Sequence, residues 1–289
     1  MKYLYEVFGL SKQGYYQRIS RDNKREARDR KVCEMVMEVR KTHTRAGTRK
    51  LMVYLKDDFK KEQIAIGRNT LNSVLRANNM LVRKTKRCYI TTDSKHGYYK
   101  SPNILKDTKL THSEQAIVND ITYLKTDEGD AYLAISTDPY SKKIMGYSVE
   151  DHMKVDSVKV AMEMAKKNMI FGHESVIHHS DRGIQYCCDK YSQIAEKLHF
   201  KLSTTQQYDP YENAVAERIN ETLKYEFGLN KQVPSLRVLK KMVKQSVEIY
   251  NTQRVHWSLG LRTPEEVHRS YNSLKYKSYS KKKENNDSN

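Results

Sequence analysis

Between residues 112 and 204 the spacing of apolar residues changes from strand-like to helix-like, and this limits the folds open to the chain. Residues 117–125, 131–137 and 143–149 are short runs rich in Ile, Val, Leu and Tyr. They are separated by Asp127-Glu128-Gly129-Asp130 and Asp138-Pro139-Tyr140-Ser141, both of which carry turn chemistry. The spacing predicts an antiparallel meander. A helix over 155–169, a strand over 175–179, a helix over 189–198 and a strand over 200–204 follow. A further helix closes the series. Three strands and then alternating helices and strands predict an α/β fold with a mixed sheet flanked by helices.

The region before the meander reads as small and all-α. In 29–41, Val32, Met35, Val36 and Val39 fall on one helical face. Gly47-Thr48 opens a segment with Leu51, Met52, Tyr54 and Leu55, and Asn69 is the expected N-cap of a helix carrying Leu71, Val74 and Leu75. Arg49, Lys50, Arg68 and Arg76 surround these short helices, which suggests a helix-turn-helix bound to nucleic acid. The charge agrees. Residues 1–110 hold 27 basic and 11 acidic side chains, a net of +16, whereas residues 111–270 net −1. A contrast that large points to a polyanionic partner gripped by the N-terminal half. The expected organisation is a helical DNA-binding region over 1–82, a basic linker over 83–110, a catalytic core over 111–270 and a basic, disordered tail over 271–289. No apolar run approaches the ~18 residues of a membrane span. Glu6 interrupts any signal-like start, and the four Cys have neither zinc nor disulfide-scaffold spacing, so a soluble intracellular protein is expected.

Three acidic residues stand at strand ends and helix starts. Asp120 lies inside the first apolar strand, and Asp181 ends the fourth in His178-His179-Ser180-Asp181-Arg182-Gly183. A carboxylate in an apolar strand is costly to bury unless it is paired or holds a metal; a structural hydrogen bond or a turn cap is the other reading. Asp209-Pro210-Tyr211-Glu212 predicts the start of the last helix, with Asp209 as N-cap. From there Asn213, Glu217, Asn220 and Lys224 share one polar stripe, either a solvated face or part of a site. Three carboxylates on separate elements of one sheet suggest a Mg²⁺ site for phosphoryl chemistry.

Four blocks in order extend this reading. Asp120-Ile121-Thr122-Tyr123, then His179-Ser180-Asp181-Arg182-Gly183-Ile184-Gln185-Tyr186, then Glu212-Asn213-Ala214-Val215-Ala216-Glu217 are followed by Tyr250-Asn251, Arg254, His256, Leu259-Gly260 and Thr263-Pro264. With Phe8–Tyr16 and the helical region over 47–82, the chain resembles the bacterial insertion-sequence transposases of the OrfB type, whose core is similar to retroviral integrases. Two departures lie outside the acidic positions: Ile117 stands where an aromatic residue is common, and Leu202-Ser203-Thr204-Thr205 replaces a usual Ser-Met-Ser.

The resemblance implies a ribonuclease H-like core in which Asp120, Asp181 and Glu217 form a DDE triad. They would bind two Mg²⁺ ions, with Mn²⁺ able to substitute. It implies that Lys224 is directed at a DNA end, and it gives Asp138 no metal role. The implied activity is cleavage and strand transfer at the terminal inverted repeats of a mobile element, into target DNA. The implied assembly is a homo-oligomer on DNA, with an upstream OrfA partner or fusion, in the bacterial cytoplasm at the nucleoid. A ribonuclease H-like nuclease that cuts without joining, or a DNA-binding regulator with a decayed core, are the alternatives.

Overall fold

In the computed structural model the described residues are 11–82, 97–172, 175–206 and 213–272. They fall into two compact units that divide between Tyr89 and Ile90. Phe8, the expected linker stretch 83–96 and the expected tail from 273 lie outside the described residues.

In the first unit α1 spans Lys12–Thr42, α2 Thr48–Tyr54, α3 Lys56–Lys61 and α4 Arg68–Ala77. The helix expected over 29–41 extends much further towards the N-terminus. Residues 12–28 have no apolar stripe, so periodicity could not reveal them. Their helix is supported locally by the Ser11 cap, whose hydroxyl accepts from Gly14 N at 3.0 Å, and by Arg18–Asp22 and Arg25–Asp29 pairs. Only its end is buried: Val32 and Val36 pack with Leu51, Leu55, Leu71 and Leu75. Helix α4 is capped by Gly67, not by Asn69 as expected. Gly67 is extended and its carbonyl accepts from Leu71 N at 2.9 Å, which places Asn69 inside the first turn.

The second unit is built on five strands: β1 Ala116–Thr126, β2 Gly129–Thr137, β3 Ile144–Glu150, β4 Val176–Ser180 and β5 Phe200–Thr204. Their order is β3-β2-β1-β4-β5, with β1–β2 and β2–β3 antiparallel and β1–β4 and β4–β5 parallel. This is a mixed, ribonuclease H-like sheet. Every expected strand is present to within two residues. Helices α5 (Val155–Lys167), α6 (Ile184–Cys187) and α7 (Asp189–Lys197) intervene, and α8 (Ala214–Glu226), α9 (Leu236–Thr252) and α10 (Pro264–Arg269) follow.

The two-residue period of the strands assigns the faces. Leu124, Leu133 and Ile135 meet Ile219, Leu223, Leu239, Val243 and Tyr250 of α8 and α9. Ile117, Ile121 and Ala134 meet Val158, Ala161, Met162 and Tyr191 of α5 and α7. On that second face α5 lies directly on Gly146. A Cβ there would stand 2.0 Å from the carbonyl oxygen of Ala161 and 2.7 Å from the amide nitrogen of Ala165. Only a residue without a side chain permits that approach.

A wholly buried polar cluster closes the unit. His268 of α10 sits between Glu114 (3.0 Å) and Asp138 (3.1 Å), and all three are 0 % exposed. Burial by itself lowers the His268 pKa, but hydrogen bonds donated to both carboxylates raise it above its ordinary value. Burial raises Glu114, yet His268 and the amides of Ile170 and Phe171 hold it below the usual carboxylate range. Asp138, in the β2–β3 turn, also accepts from Tyr140 N and from Ser141 Oγ. Its carboxylate is therefore used in fixing the turn and α10.

Residues 101–110, placed by sequence in the linker, lie against this unit. Thr204 Oγ1 donates to Ser101 O at 2.6 Å, and Ile104 N donates to Ser203 Oγ at 3.0 Å. Leu110 packs on Tyr140, Leu259 and Val267. A fragment 97–272 should therefore be more stable than 111–272 by about 2–4 kcal/mol, from these bonds and this burial. Equal urea midpoints for the two fragments would contradict the attachment. Gly146→Ala should cost about 1–3 kcal/mol or more, as overpacking does, read by the same titration; a neutral result would mean that α5 does not rest on β3 there.

Candidate active site

Asp120 stands in β1 opposite Ile135 of β2. By strand parity it shares the face of Leu124, the face covered by α8 and α9. Asp181 follows the last residue of β4. Its loop is held by Arg182 Nε donating to Thr205 O at 2.6 Å and by Thr205 N donating to Ser180 O at 3.1 Å. Gly183 N donates to Asp181 Oδ1 at 3.0 Å, so the carboxylate turns back over its own loop. Glu217 lies in the first turn of α8 and is exposed.

The polar stripe of α8 faces β1 through its two asparagines rather than solvent. Asn213 Nδ2 donates to Asn119 O at 3.0 Å, and Asn220 Nδ2 donates to Asp120 Oδ2 at 2.8 Å. Both asparagines are buried. Asn213 is also the N-cap of α8, which begins at Ala214. The expected start motif, residues 209–212, lies outside the described residues.

Asn119 is a junction that the sequence reading passed over. Its Nδ2 donates to His179 O at 2.9 Å and lies 3.0 Å from His178 Nδ1, while its Oδ1 accepts from Ser136 Oγ at 2.6 Å. Burial, with His179 adjacent, pushes the His178 pKa to about 3. The ring is therefore neutral, and Nδ1 can accept from both Asn119 and Tyr191 Oη, the latter at 3.1 Å. Asn119 thus connects β1 to β2 and β4 through its side chain and to the N-cap of α8 through its carbonyl. The only signal in the sequence was a polar residue beside Asp120 in an apolar strand.

The Asp120 carboxyl is pushed up to about 7, first by burial, then by the charge of Asp181 and, less, of Glu217, against the Asn220 hydrogen bond. Lys224 is half-buried, one face-repeat along α8. Burial lowers its pKa and the charge of Asp120 opposes that, so the ammonium sits within reach of this carboxylate. Among the described residues, no three His, Cys, Asp or Glu side chains already stand as a metal cage. The donor chemistry nevertheless suits a hard divalent cation: carboxylate oxygens from three elements, one of them destabilised by its neighbours' negative charge.

The remaining sequence-selected cations lie in the first unit. Arg49 and Lys50 are in the first turn of α2; Arg68 opens α4 and Arg76 ends it, about 12 Å away at 1.5 Å per residue. Arg49, Arg68 and Arg76 are exposed and Lys50 is partly so.

Comparison with known proteins gives these positions a family. An integrase core domain matches residues 110–210, and a second integrase core domain model matches 198–264. The insertion element IS600 uncharacterized 31 kDa protein of Shigella sonnei is 31 % identical over 281 residues, covering 93 % of this chain and 98 % of that protein. The chain belongs to the insertion-sequence transposases with an integrase core.

Transposase InsF for insertion sequence IS3fB of Escherichia coli is 27 % identical over 274 residues, covering 92 % of this chain and 93 % of InsF. DNA transposition by a polynucleotidyl transferase is the activity of this transposase family. Among solved structures, a chain of the simian T-cell lymphotropic virus intasome aligns at TM-score 0.47 and 15 % identity, over 80 % of this chain and 73 % of that one. The HTLV-2 integrase catalytic core domain, solved in complex with magnesium, aligns at TM-score 0.42 and 15 % identity, over 54 % of this chain and 97 % of that one. Among the described residues no helix is long and apolar enough to cross a membrane.

The C-terminal signature of the transposase fastens the site from behind. Arg254 Nε and Nη2 donate to the two oxygens of Glu226, each at 2.7 Å, which pins the end of α8. Asn251 pairs with both backbone groups of Ile144 at 2.9 Å.

The raised Asp120 pKa has a sign that can be tested. The folded protein keeps this proton up to about pH 7, whereas the unfolded chain releases it near the ordinary 3.8. The folded state therefore binds more protons across that window, and stability falls as pH rises through it. Without divalent cation, the wild type should lose stability from pH about 4 to about 7, and Asp120→Asn should flatten that loss. The raised His268 adds its own loss only above the ordinary histidine value, so the two windows separate. A variant with the wild-type slope between pH 4 and 7 would show that Asp120 is not under this strain.

Proposed function

We propose that this transposase cuts and rejoins DNA at the terminal inverted repeats of its own element, with Asp120, Asp181 and Glu217 holding Mg²⁺. The observation that supports the reading is the half-buried Asp120 carboxyl, raised by desolvation and then by the charge of Asp181 and Glu217, and held by Asn220. Negative charge gathered around a half-buried carboxylate is a place that a divalent cation would complete. Mn²⁺ substitutes for Mg²⁺ on the same oxygen donors, and two ions suit the displacement chemistry. Such cations supply positive charge to the reacting phosphodiester and ease deprotonation of the attacking oxygen.

Water attacks phosphorus at the element's end and the bond to the 3′-oxygen breaks, freeing a 3′-hydroxyl. That hydroxyl then attacks a target phosphodiester, forms the new bond to phosphorus and releases a target 3′-hydroxyl. No residue becomes linked to DNA. Within the chain, Asn220 orients Asp120, the Arg182–Thr205 bond orients the Asp181 loop, and Lys224 contacts a phosphate at the DNA end. Arg49, Lys50, Arg68 and Arg76 grip flanking duplex from the helical unit. Assembly as a homo-oligomer on paired ends, with or without an OrfA partner, follows from the need to handle two ends and one target.

Asp181→Asn and Glu217→Gln should each abolish cleavage and joining in Mg²⁺ while leaving affinity for terminal DNA within about twofold. Residual joining by Asp181→Asn on labelled end duplexes would overturn the triad. Cleavage by the wild type without covalent linkage to target would make the protein a nuclease.

A further inference from the structure

The second unit is close to neutral overall, yet its charge is segregated. Residues 227–247 contain Lys231, Arg237, Lys240, Lys241 and Lys244 and no acidic residue. Four of these lie on α9 at i, i+3, i+4 and i+7, within an arc of about 100° at 100° per residue. All are exposed. The apolar residues of the same helix, Leu239, Val243, Val247 and Tyr250, occupy the neighbouring face and anchor it to the sheet. Ser235 caps α9, and Leu236 N donates to Glu128 Oε2 at 2.8 Å, which fixes the start of the helix on the β1–β2 hairpin. The stripe is thus a rigid ridge. The side chains from Leu236 to Lys244 surround a shallow hollow of ≈ 440 Å³.

Lys240 pairs with Glu150 at 3.0 Å. Arg237, Lys241 and Lys244 have no ion-pair partner among the described residues. Three uncompensated cations on one ordered face are electrostatically unfavourable without an anionic partner. A second copy of the same face would bring positive charge against positive charge in a two-fold contact.

The position of the ridge favours DNA over an acidic protein. Glu150 is opposite Tyr132, which is opposite Tyr123, three residues from Asp120. That places the Lys240–Glu150 pair roughly 10 Å along the sheet and roughly 10 Å across it from Asp120. The backbone separation in the plane of the sheet, about 14 Å, is close to four base-pair rises of a duplex. Arg237 to Lys244 spans about 10.5 Å of helix, which matches about three phosphates of one strand at 3.4 Å each.

We infer that Arg237, Lys241 and Lys244 form a second DNA-backbone contact, on the catalytic unit itself, that holds duplex DNA about four base pairs from the reacting phosphate. The inference rests on the transposase reading above and adds where the core grips its substrate. The contact is to phosphates, so it carries no base specificity.

The test is the salt dependence of binding by the full chain to a duplex carrying an element end, followed by fluorescence anisotropy. The triple variant Arg237→Gln, Lys241→Gln, Lys244→Gln should lower the slope of log K against log salt by about 2–3, at about 0.9 per phosphate lost. A control variant with Lys154, Lys167 and Lys197 changed to Gln, exposed residues on the opposite helical layer, removes the same charge. It should change the slope by less than 1. The Arg237→Lys, Lys241→Arg, Lys244→Arg variant should restore wild-type behaviour. An unchanged slope in the Gln triple variant, an equal loss in the control, or a changed oligomeric state with the slope intact would each overturn the inference. If the wild type itself shows no salt-dependent affinity for DNA, the transposase reading fails instead, and the two failures are separate.

Discussion

The site depends on how α8 is fastened to β1. Asn213 bonds the backbone of Asn119, and Asn220 bonds the carboxylate of Asp120 one strand position later. These contacts join the helix that carries Glu217 to the strand that carries Asp120. The Arg254–Glu226 fork pins the far end of the same helix. Asn119 extends the linkage to β4 through His179 O, immediately before the loop of Asp181. These amides are buried, so breaking any of the bonds leaves a desolvated polar group behind, which favours one arrangement.

That arrangement concentrates negative charge where it is electrostatically costly and leaves positive charge where it is free. Asp120 is raised first by burial and then by the charge of Asp181 and Glu217, and the Asn220 hydrogen bond only partly offsets them. The other buried acids are treated differently: Glu114 and Asp138 share His268, and each also accepts backbone amides. One cluster is internally neutralised and serves packing. Around Asp120, burial and the charge of two further carboxylates outweigh the Asn220 hydrogen bond, a perturbation of the kind that clusters at functional sites.

The strands were legible because their alternation reports burial on two faces, and the helices of the sheet layer because theirs reports burial on one. The three acids were legible as types at element ends; that they form one site is what the family resemblance implies. The stripe of α8 was harder to read. Asparagines that hydrogen-bond a strand and asparagines that face water have the same spacing, so Asn213 and Asn220 carried no sign of burial. The first half of α1 has no apolar face to detect. The 101–110 strap is polar and basic, and it is held by hydroxyls of Ser203 and Thr204 about 100 residues away, a partnership that local pattern cannot show. Net charge pointed to the N-terminal half because summing over residues 111–270 cancels the α9 ridge against the carboxylates.

The central claim is that Asp120, Asp181 and Glu217 are one cation site. The most direct measurement is an anomalous-scattering map of crystals soaked in Mn²⁺. The account predicts a peak with carboxylate oxygens of Asp120 and Asp181 at roughly 2.0–2.2 Å, the range for hard divalent cations of this size, and Glu217 turned towards it. Mn²⁺ bound only elsewhere, or no peak at saturating concentration with the carboxylates ionised, would contradict it.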